Sequence, residues 1–460
     1  MAFIFFSILL LMCEAAFFLT KKDIMSPVFI YFSIFTLSAL VFALNFFNWY
    51  MPFHTDTMII LLIGIAMFGV GSLIAYFSVK KKDGRLKIEK YAVAVKKYNV
   101  TEISISTRAT LILSEIIFLT DIWDVLDNYR ISILAGNQEG VLHMLSFVRQ
   151  VTLYSTANVQ TPFLLKQMEY LCLALAFFYL FVLAYDVFYL KNKINFLYML
   201  PPAFETVQMV LTTGRIIFLR IIIFLLVVSV ILYRKRVGWN KKVIRNILKF
   251  AVIGGIIFIV VFRLAGALTG KSSKFNFYDN ISLYLGGSLP AFDDFLHNYH
   301  ATNSEFGAET LINFQRIFYK LHITSSYHNS ALEWITVYGM SYNTYTAVRR
   351  YFHDFGYTGL IVIQAFIGYF YTRFYLFTAR KGKGLLGLMI FGFVFYPVVL
   401  SFDDDLFFIS VFSTATVTEI FYLACIYWAF IGRKQEKPEW IKKITIPLKK
   451  KISLRQQEKN

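Results

Sequence analysis

The sequence predicts an all-α, polytopic integral membrane protein. Of its 460 residues, 57% are hydrophobic and only 16% are charged, and the mean hydropathy is +0.58. Typical soluble domains have about 25% charged residues. Many separate apolar runs reach the roughly 20 residues that a helix needs to cross the hydrocarbon core of a bilayer. A transmembrane barrel would instead show alternating segments of about ten residues.

The apolar runs predict about eleven membrane spans. We interpret the N-terminal run as a retained first span, because no basic segment precedes it and no small-residue cleavage site follows it cleanly. Glu115 and Asp121 interrupt the fourth span. The predicted spans are residues 2–19, 24–47, 57–79, 105–121, 168–190, 194–213, 215–233, 247–266, 357–378, 385–401 and 406–431.

The distribution of basic residues predicts the orientation of these spans. Alternate connections carry 32 of the 46 Lys and Arg residues, most of them in residues 80–97, residues 234–249 and the C-terminal tail. The positive-inside rule places these connections in the cytoplasm. We therefore expect the N-terminus outside and the C-terminus inside, in a multi-pass protein of the membrane. The same basic loops explain the net charge of +18 without nucleic acid.

The predicted spans divide the chain into four parts. These are an N-terminal bundle of about eight spans (1–266), a large extracytoplasmic loop (267–356), three C-terminal spans (357–431) and a basic cytoplasmic tail (432–460).

The stretch from Ser341 to Gly359 carries the densest polar chemistry and lies at the end of the large loop. Arg349 is expected to contact an anion. Arg350 can serve the same site or form an i, i+4 ion pair with Asp354. Asp354 can alternatively cap the following span or act as a site carboxylate. His353 is a candidate proton acceptor near neutral pH, as is His328 earlier in the loop.

Three further arginines lie near the outer ends of predicted spans. Arg215 follows Gly214 at the start of the seventh span, where a guanidinium can bind phosphate or reach the interface. Arg220 lies about 7–8 Å deeper, where it needs a partner such as Glu205 or a site. Arg263, near the outer end of the eighth predicted span, likewise needs either a partner or a role in a site.

Other polar groups of the outer loops give weaker indications. Ten tyrosines between residues 278 and 357 fit either a membrane interface or stacking against sugar rings. We expect Asp293–Asp294 and Asp403–Asp405 to be solvated at the surface, since neither group has the spacing of a metal-binding motif. The sequence lacks a nucleotide-binding glycine loop, which disfavours an enzyme driven by a cytoplasmic sugar nucleotide.

The stretch Asn343-Thr-Tyr-Thr-Ala-Val-Arg-Arg-Tyr-Phe-His-Asp-Phe-Gly-Tyr-Thr-Gly359 resembles the outer-loop signature of Wzy-type oligosaccharide repeat-unit polymerases, the O-antigen and capsular polysaccharide polymerase family. That pattern is Asn-x-Tyr-Thr-x-x-Arg-x-Tyr-x-x-Asp-Phe-Gly-x-x-Gly. The run from Tyr284 to Phe292 resembles the start of the family's large periplasmic loop. Thr213-Gly214-Arg215 resembles its short Gly-Arg turn. The first 200 residues agree only in hydropathy.

The resemblance implies a GT-C-like membrane glycosyltransferase of the bacterial inner membrane. It would polymerise undecaprenyl-pyrophosphate-linked oligosaccharides at the outer face, by an inverting reaction with no cofactor and no metal. Its implied partners are a chain-length regulator and a flippase, besides the bilayer, and no nucleic acid. The candidate catalytic residues are Arg349, Asp354 and His353. The candidate substrate-binding residues are Arg215, Arg220, Arg263, Tyr284, His328, Asn343, Tyr345, Thr346, Arg350 and Tyr351.

Two other functions stay open at this point. A polysaccharide ligase would transfer a finished chain to a different acceptor, and His328-Asn329 faintly resembles the His-containing motif of such enzymes. A flippase or other transporter of lipid-linked oligosaccharide would be expected to show inverted repeats, broken helices and charges within the membrane. The concentration of polar residues in one outer loop favours an enzyme over a transporter.

Overall fold

The fold of the chain is all-α, with one short β-hairpin in the part that is described. The structure is a computed structural model, and it describes residues 1–82, 103–138, 140, 144–154, 161–211, 216–238, 245, 249, 253–255, 277–298, 306–325, 331–380 and 384–432.

The N-terminal half contains eight α-helices within the described residues. They are α1 (Ala2–Leu19), α2 (Pro27–Trp49), α3 (Thr55–Lys82), α4 (Thr107–Leu134), α5 (Met144–Tyr154), α6 (Phe163–Ala184), α7 (Leu200–Leu211) and α8 (Ile216–Val237). A π-helical turn, Tyr185–Leu190, extends α6, and a 3₁₀ turn, Phe196–Met199, leads into α7. Serine side chains set two of the helix starts, because Ser26 accepts a hydrogen bond from the Phe29 N–H and Ser106 accepts one from the Ala109 N–H.

The C-terminal half adds seven α-helices and the hairpin. They are α9 (Phe277–Gly286), α10 (Ser288–Asn298), α11 (Ile312–Lys320), β1 (Ile335–Val337), β2 (Met340–Tyr342), α12 (Thr346–Arg380), α13 (Leu385–Phe393), α14 (Tyr396–Leu400) and α15 (Thr414–Tyr427). π-Helical turns at Phe407–Val411 and Trp428–Gly432 flank α15. Tyr338 and Gly339 both have positive φ, which is the backbone conformation that a two-residue hairpin turn requires.

Seven helical segments among the described residues are long and apolar enough to cross a membrane, which makes the chain a multi-pass membrane protein. They are Ala2–Leu19, Pro27–Trp49, Thr55–Ser78, Phe163–Leu190, Ile216–Val237, Thr346–Thr378 and Thr414–Gly432. These segments correspond to the predicted spans 1, 2, 3, 5, 7, 9 and 11.

The remaining four predicted spans do not correspond to a long apolar helix among the described residues. The fourth is the charged helix α4, and the sixth is only the 3₁₀ turn followed by α7. The tenth is divided between α13 and α14, a shorter apolar segment. The eighth and the C-terminal tail lie almost entirely outside the described residues. The count of eleven therefore stays a prediction.

Helix α12 organises the C-terminal half. It begins at Thr346, eleven residues before the predicted ninth span, so the polar stretch is mostly helical rather than loop. Gly356, at φ 60° and ψ −158°, interrupts the helix and separates residues 346–355 from the apolar segment that follows. This left-handed φ is readily adopted by glycine.

Glycines allow α12 to pack very closely against α3. A Cβ atom on Gly71 would lie 1.8 Å from the carbonyl oxygen of Ala365, and one on Gly368 would lie 2.0 Å from the carbonyl oxygen of Phe68. The Ser72 hydroxyl donates to the carbonyl of Gly368 at 3.1 Å across the same interface. Small residues commonly mediate such close helix contacts in membranes.

A buried ion pair anchors the other end of α12. Arg234 of α8 binds the carboxylate of Asp23, with Nη1 and Oδ1 3.1 Å apart, and the Tyr375 hydroxyl donates to the same carboxylate at 2.9 Å. Tyr375 lies 26 residues from Arg349 along α12, which is about 39 Å at 1.5 Å per helical residue. Helices α1, α2, α8 and α12 therefore meet at the end of the bundle opposite the polar stretch.

We predict that Gly71→Ala will destabilise the protein, because the added methyl group would force α3 and α12 apart. Overpacking of this kind typically costs about 1–3 kcal/mol. Thermal unfolding in detergent should show a clearly lower midpoint than the wild type. Gly387→Ala is the matched control, since its Cβ would meet its nearest neighbour at an ordinary 3.7 Å. Equal midpoints for the two variants would contradict the close-packing argument.

Candidate functional site

The first turn of α12 docks onto the chain segment 401–405. The N–H groups of Tyr345 and Thr346 donate to the carbonyl of Asp403 at 3.1 and 2.9 Å, and the N–H of Ala347 donates to the carbonyl of Ser401 at 2.9 Å. The hydroxyl of Thr344 adds a bond to the Asp403 carboxylate at 2.9 Å. The first N–H groups of a helix have no partners within the helix, so this segment serves as the cap.

Thr346 lies at the point of greatest local strain. Its φ is +70°, which is a genuine outlier for a β-branched residue. The side chain is fully buried, and its hydroxyl has no hydrogen-bond partner within the part of the chain that is described. Strained backbone of this kind is found at sites where the surrounding structure determines it. Here the three hydrogen bonds to residues 401–403 hold the backbone in place.

Arg350 forms a bidentate ion pair with Asp404. The two hydrogen bonds, from Nε to Oδ1 and from Nη2 to Oδ2, measure 2.7 and 2.8 Å. The Arg350 side chain is almost completely buried. The expected i, i+4 pair with Asp354 is therefore wrong, although both residues are helical. Asp404, distant in sequence, offers both carboxylate oxygens in the planar geometry that a guanidinium favours.

Asp354 binds backbone rather than a side-chain cation. Its carboxylate accepts the N–H of Thr310 at 2.6 Å and that of Glu309 at 3.2 Å. The alternative role of Asp354 as a cap for the next span is also wrong, because its carboxylate bonds to the turn at Glu309 and Thr310 and not to N–H groups of the segment after Gly356. Asp354 instead fixes the turn that carries Glu309 and brings that residue to the adjacent arginine.

Arg349 is fully buried between two carboxylates and two aromatic rings. Its Nη2 atom donates to Glu309 Oε1 at 3.0 Å and to Glu333 Oε1 at 2.6 Å. The guanidinium carbon lies 4.1 Å from the ring centre of Phe295 and 4.5 Å from that of Tyr345, distances suited to cation–π attraction. Nε and Nη1 have no hydrogen-bond partner among the described residues. The glutamates occupy the place that an anionic ligand would take.

Glu309 links Arg349 to His353. Its Oε1 atom lies 3.1 Å from His353 Nδ1 as well as 3.0 Å from Arg349 Nη2. Burial acts to raise the pKa of Glu309, but the adjacent His353 imidazole and the charge of Arg349 outweigh it and hold the pKa below its ordinary value. Glu309 is therefore ionised near neutral pH. An ionised carboxylate beside Nδ1 favours the tautomer of His353 that carries its proton there and leaves Nε2 as the proton acceptor.

Asp405 completes the polar layer beneath the arginines. Its Oδ1 atom accepts the Tyr351 hydroxyl at 2.6 Å and the N–H groups of Phe407 and Phe408, whereas Oδ2 is buried with no partner among the described residues. Burial raises the pKa of Asp405 to about 7. A proton on Oδ2 is consistent with this division of roles. The expectation that Asp403–Asp405 are solvated at the surface is wrong, because they bind the first turns of α12.

The other predicted site residues do not join this cluster in the described structure. Arg220 is buried elsewhere in the bundle and pairs with Glu419 at 3.0 Å, not with Glu205. Rings of Phe393 and Tyr396 lie 4.9 Å from its guanidinium carbon. Arg215, Arg263 and His328 lie outside the described residues.

Among the predicted sugar-binding residues, most are enclosed by protein. Tyr345 and Tyr351 are buried, and the Tyr345 hydroxyl donates to the Glu333 carbonyl at 3.0 Å. Asn343 is half-buried, just before the start of α12. Tyr284 is 37% exposed, on α9.

Sequence reasoning missed four members of the cluster: Phe295, Glu309, Glu333 and Asp404. All four are distant in sequence from the arginines that they contact. One signal was available, because two adjacent arginines that are buried need nearby carboxylates, and the acidic residues of the same outer loops were the obvious candidates. Which of them pair with which arginine depends on the tertiary fold.

The resulting arrangement is a buried, charge-compensated cluster with one acid–base pair at its edge. His353 and Glu309 each keep a small exposed fraction, 17% and 18% of the side chain, whereas Arg349 has none. The edge of the cluster is thus the place where a reacting hydroxyl could meet a proton acceptor. The described residues therefore combine a multi-pass helical membrane protein with a preorganised polar centre at one end.

Comparison with known proteins identifies no relative. No family model, no curated protein and no solved structure matches the chain.

We predict that Asp405→Asn will reduce the pH dependence of stability between about pH 4 and pH 7. The folded state of the wild type holds a proton on Asp405 up to about pH 7, whereas an unfolded aspartate loses it near pH 4. The contribution of this group to stability is therefore full below about pH 4 and is lost as the pH rises to about 7. The asparagine variant should lose less stability across this window.

The measurement is the midpoint of thermal unfolding in detergent at several pH values. Asp294→Asn is the matched control, because Asp294 lies on α10 and bonds to the Asn298 amide at the surface. A wild-type curve with the same slope as that of Asp405→Asn would contradict the protonated state.

Proposed function

We propose that the chain is a membrane glycosyltransferase that polymerises undecaprenyl-pyrophosphate-linked oligosaccharide repeat units into a surface polysaccharide. The observation that carries the proposal is the geometry of residues 343–359. The polar residues of this stretch join Glu309 and Glu333 in one cluster at the end of a bundle of apolar helices. A site at such a position can receive a substrate that has a lipid at one end and a sugar at the other.

The proposed reaction is an inverting displacement. The hydroxyl oxygen of the acceptor sugar bonds to the anomeric carbon of the donor sugar, while the bond from that carbon to the pyrophosphate oxygen breaks. His353 Nε2 takes the proton of the acceptor hydroxyl, and the electron pair leaves with the pyrophosphate. Glu309 orients the imidazole and stabilises the imidazolium that forms, which is the role of a carboxylate in other acid–base pairs.

The structure supports a different role for Arg349 than direct binding of the pyrophosphate. Arg349 is enclosed and engaged with Glu309 and Glu333, so it positions Glu309 and keeps it ionised. Arg350 holds the segment that begins α12 against Asp404. In this proposal the leaving pyrophosphate is bound by Arg215, at the predicted outer end of α8, with Arg263 as a further candidate.

The finer features of the proposal follow from the sequence. The charge distribution supports an N-terminus outside and a C-terminus in the cytoplasm, with the site on the outer face of the bacterial inner membrane. The resemblance of residues 343–359 to the polymerase signature supports a GT-C-like fold, and partners that flip the lipid-linked unit and set the chain length.

Transport of lipid-linked oligosaccharide is a second candidate, favoured by one specific observation. Charged residues are buried in the apolar helices, among them the pair Arg220–Glu419. Two further buried acids lie on helices that pack against these segments: both carboxylate oxygens of Asp121 on α4, and Oε2 of Glu205 on α7, have no hydrogen-bond partner among the described residues. Ionisable groups at membrane depth often mark the pathways of transporters. The sequence led us to expect polar residues mainly in one outer loop. In the structure, charged residues are also buried among the helices.

Deletion of the gene distinguishes these functions. If the chain is the polymerase, gels of surface glycan should lose their long chains, and a single lipid-linked repeat unit should accumulate in the outer leaflet. Loss of that unit from the outer leaflet would instead support a flippase. Long chains that stay on the lipid and fail to reach their final acceptor would support a ligase. Unchanged long chains would exclude all three functions.

A pair of site variants tests the proposed acid–base pair. His353→Ala and Glu309→Gln should each reduce chain growth by about 10²–10⁴-fold at normal protein level, the usual contribution of general acid–base catalysis. The matched control is His322→Asn, since His322 is exposed and has a positive φ that asparagine tolerates. Normal chain growth in His353→Ala would remove His353 from the mechanism.

A further inference from the structure

A second polar cluster lies at the start of α3, outside the acid–base site. It consists of His54, which precedes α3, and of Asp293 and His297, one turn apart on α10. One ligand atom from each of these three residues lies within 4.8 Å of the other two. Asp293 is fully buried, whereas the two imidazoles are partly exposed, at 48% and 29% of the side chain. Asp56 lies beside them.

The Asp293 carboxylate is held rigidly in this cluster. Its Oδ1 atom accepts the backbone N–H of His54 at 2.7 Å and the Thr57 hydroxyl at 2.5 Å. Its Oδ2 atom lies 2.7 Å from His54 Nδ1. The expectation that Asp293 is solvated at the surface is therefore wrong.

Both ring nitrogens of His297 lie close to oxygen atoms. Its Nδ1 atom lies 2.9 Å from the carbonyl oxygen of Asp293, and its Nε2 atom lies 3.1 Å from Oδ2 of Asp56. The Nε2 atom of His297 and the Asp56 carboxylate therefore face each other at the exposed edge of the cluster. The His54 ring lies against the ring of His297, with centroids 3.9 Å apart. The two imidazoles are therefore close enough to serve as ligands of one ion.

We propose that His54, Asp293 and His297 bind a divalent transition-metal ion of the zinc class, with Asp56 at the edge of the site. Two imidazoles and a carboxylate are ligands that zinc accepts. Ligand atoms around a tetrahedral zinc ion lie about 3.4 Å apart, so His54 Nδ1 and Asp293 Oδ2, now 2.7 Å apart, must separate slightly, whereas the wider separations, of up to 4.8 Å, must close. The two exposed histidine side chains can make this adjustment while the buried Asp293 stays fixed.

Such a metal would clamp α10 to the beginning of α3, with a consequence for the first cluster. Phe295 lies between Asp293 and His297 in sequence and is one of the two rings against Arg349, at 4.1 Å. Its ring also packs edge-on against His353, with centroids 5.2 Å apart. The metal would thus act as a structural ion that positions Phe295. The binding claim itself does not depend on the reaction proposed above.

The test uses the full-length protein without a polyhistidine tag, purified in detergent and stripped with a chelator. Zn²⁺ titrated by calorimetry should bind in one equivalent with a Kd in the micromolar range or tighter. Co²⁺ should give the visible absorption of a low-coordinate site, and Zn²⁺ should raise the unfolding midpoint by mass action.

Substitutions of the two partly exposed histidines give the decisive test, because they change the buried core least. His297→Gln and His54→Gln should each weaken Zn²⁺ binding by more than about tenfold, since even the loss of a supporting residue has that effect. His322→Asn removes an exposed histidine elsewhere and should leave binding unchanged. Asp293→Asn is less suitable because it changes a buried network.

The absence of Zn²⁺ and Co²⁺ binding below about 100 µM in the wild type would overturn the proposal. Binding that persists unchanged in both His297→Gln and His54→Gln would overturn it as well, by placing the ion elsewhere.

Discussion

The enclosure of two adjacent arginines is the constraint on which the polar centre depends. Arg349 and Arg350 are both buried, and removal of one partner from a buried ion pair typically costs about 3–5 kcal/mol because the other charge is left uncompensated. Successive residues of a helix point about 100° apart, so the two guanidiniums need separate partners. Glu309 and Glu333 serve Arg349, whereas Asp404 serves Arg350. Three distant chain segments are thereby drawn to one turn of α12.

These partners explain why segments with little regular structure are well defined here. The turn that carries Glu309 is fixed by Asp354, and the segment 401–405 is fixed by backbone bonds to the first turn of α12. Both segments compensate a charge. Segment 401–405 also accepts the first N–H groups of α12, whereas the turn at Glu309 donates its own N–H groups to Asp354. The apolar helices supply a rigid platform, through the glycine contact of α3 with α12. The site and the bundle therefore depend on the same helix.

Much of the fold could be predicted from the sequence, because lipid selects long apolar helices that are visible in composition alone. The polar stretch was also visible, since its residues are contiguous. Its pairings were not visible. Helical spacing offered Asp354 as one possible partner of Arg350, beside a role in the site, whereas the partner in the structure is Asp404, which is distant in sequence. Asp293 and Asp405 were expected at the surface because neither lies in a recognisable metal-binding motif. Their burial depends on segments that are distant in sequence. The sixth and tenth segments are divided where proline stands in the first turn of a helix, at Pro201–Pro202 of α7 and Pro397 of α14, a signal that the apolar runs concealed.

The interruption of α12 at Gly356 has a mechanical consequence. A continuous α-helix passes rotation and tilt from one end to the other, because its ladder of hydrogen bonds resists local twisting. At Gly356 the backbone leaves the helical region, so the direction of residues 346–355 is not dictated by that of the apolar length that follows. The turn with the two guanidiniums is therefore aligned with its carboxylates, while the apolar length keeps the direction that its close contact with α3 requires.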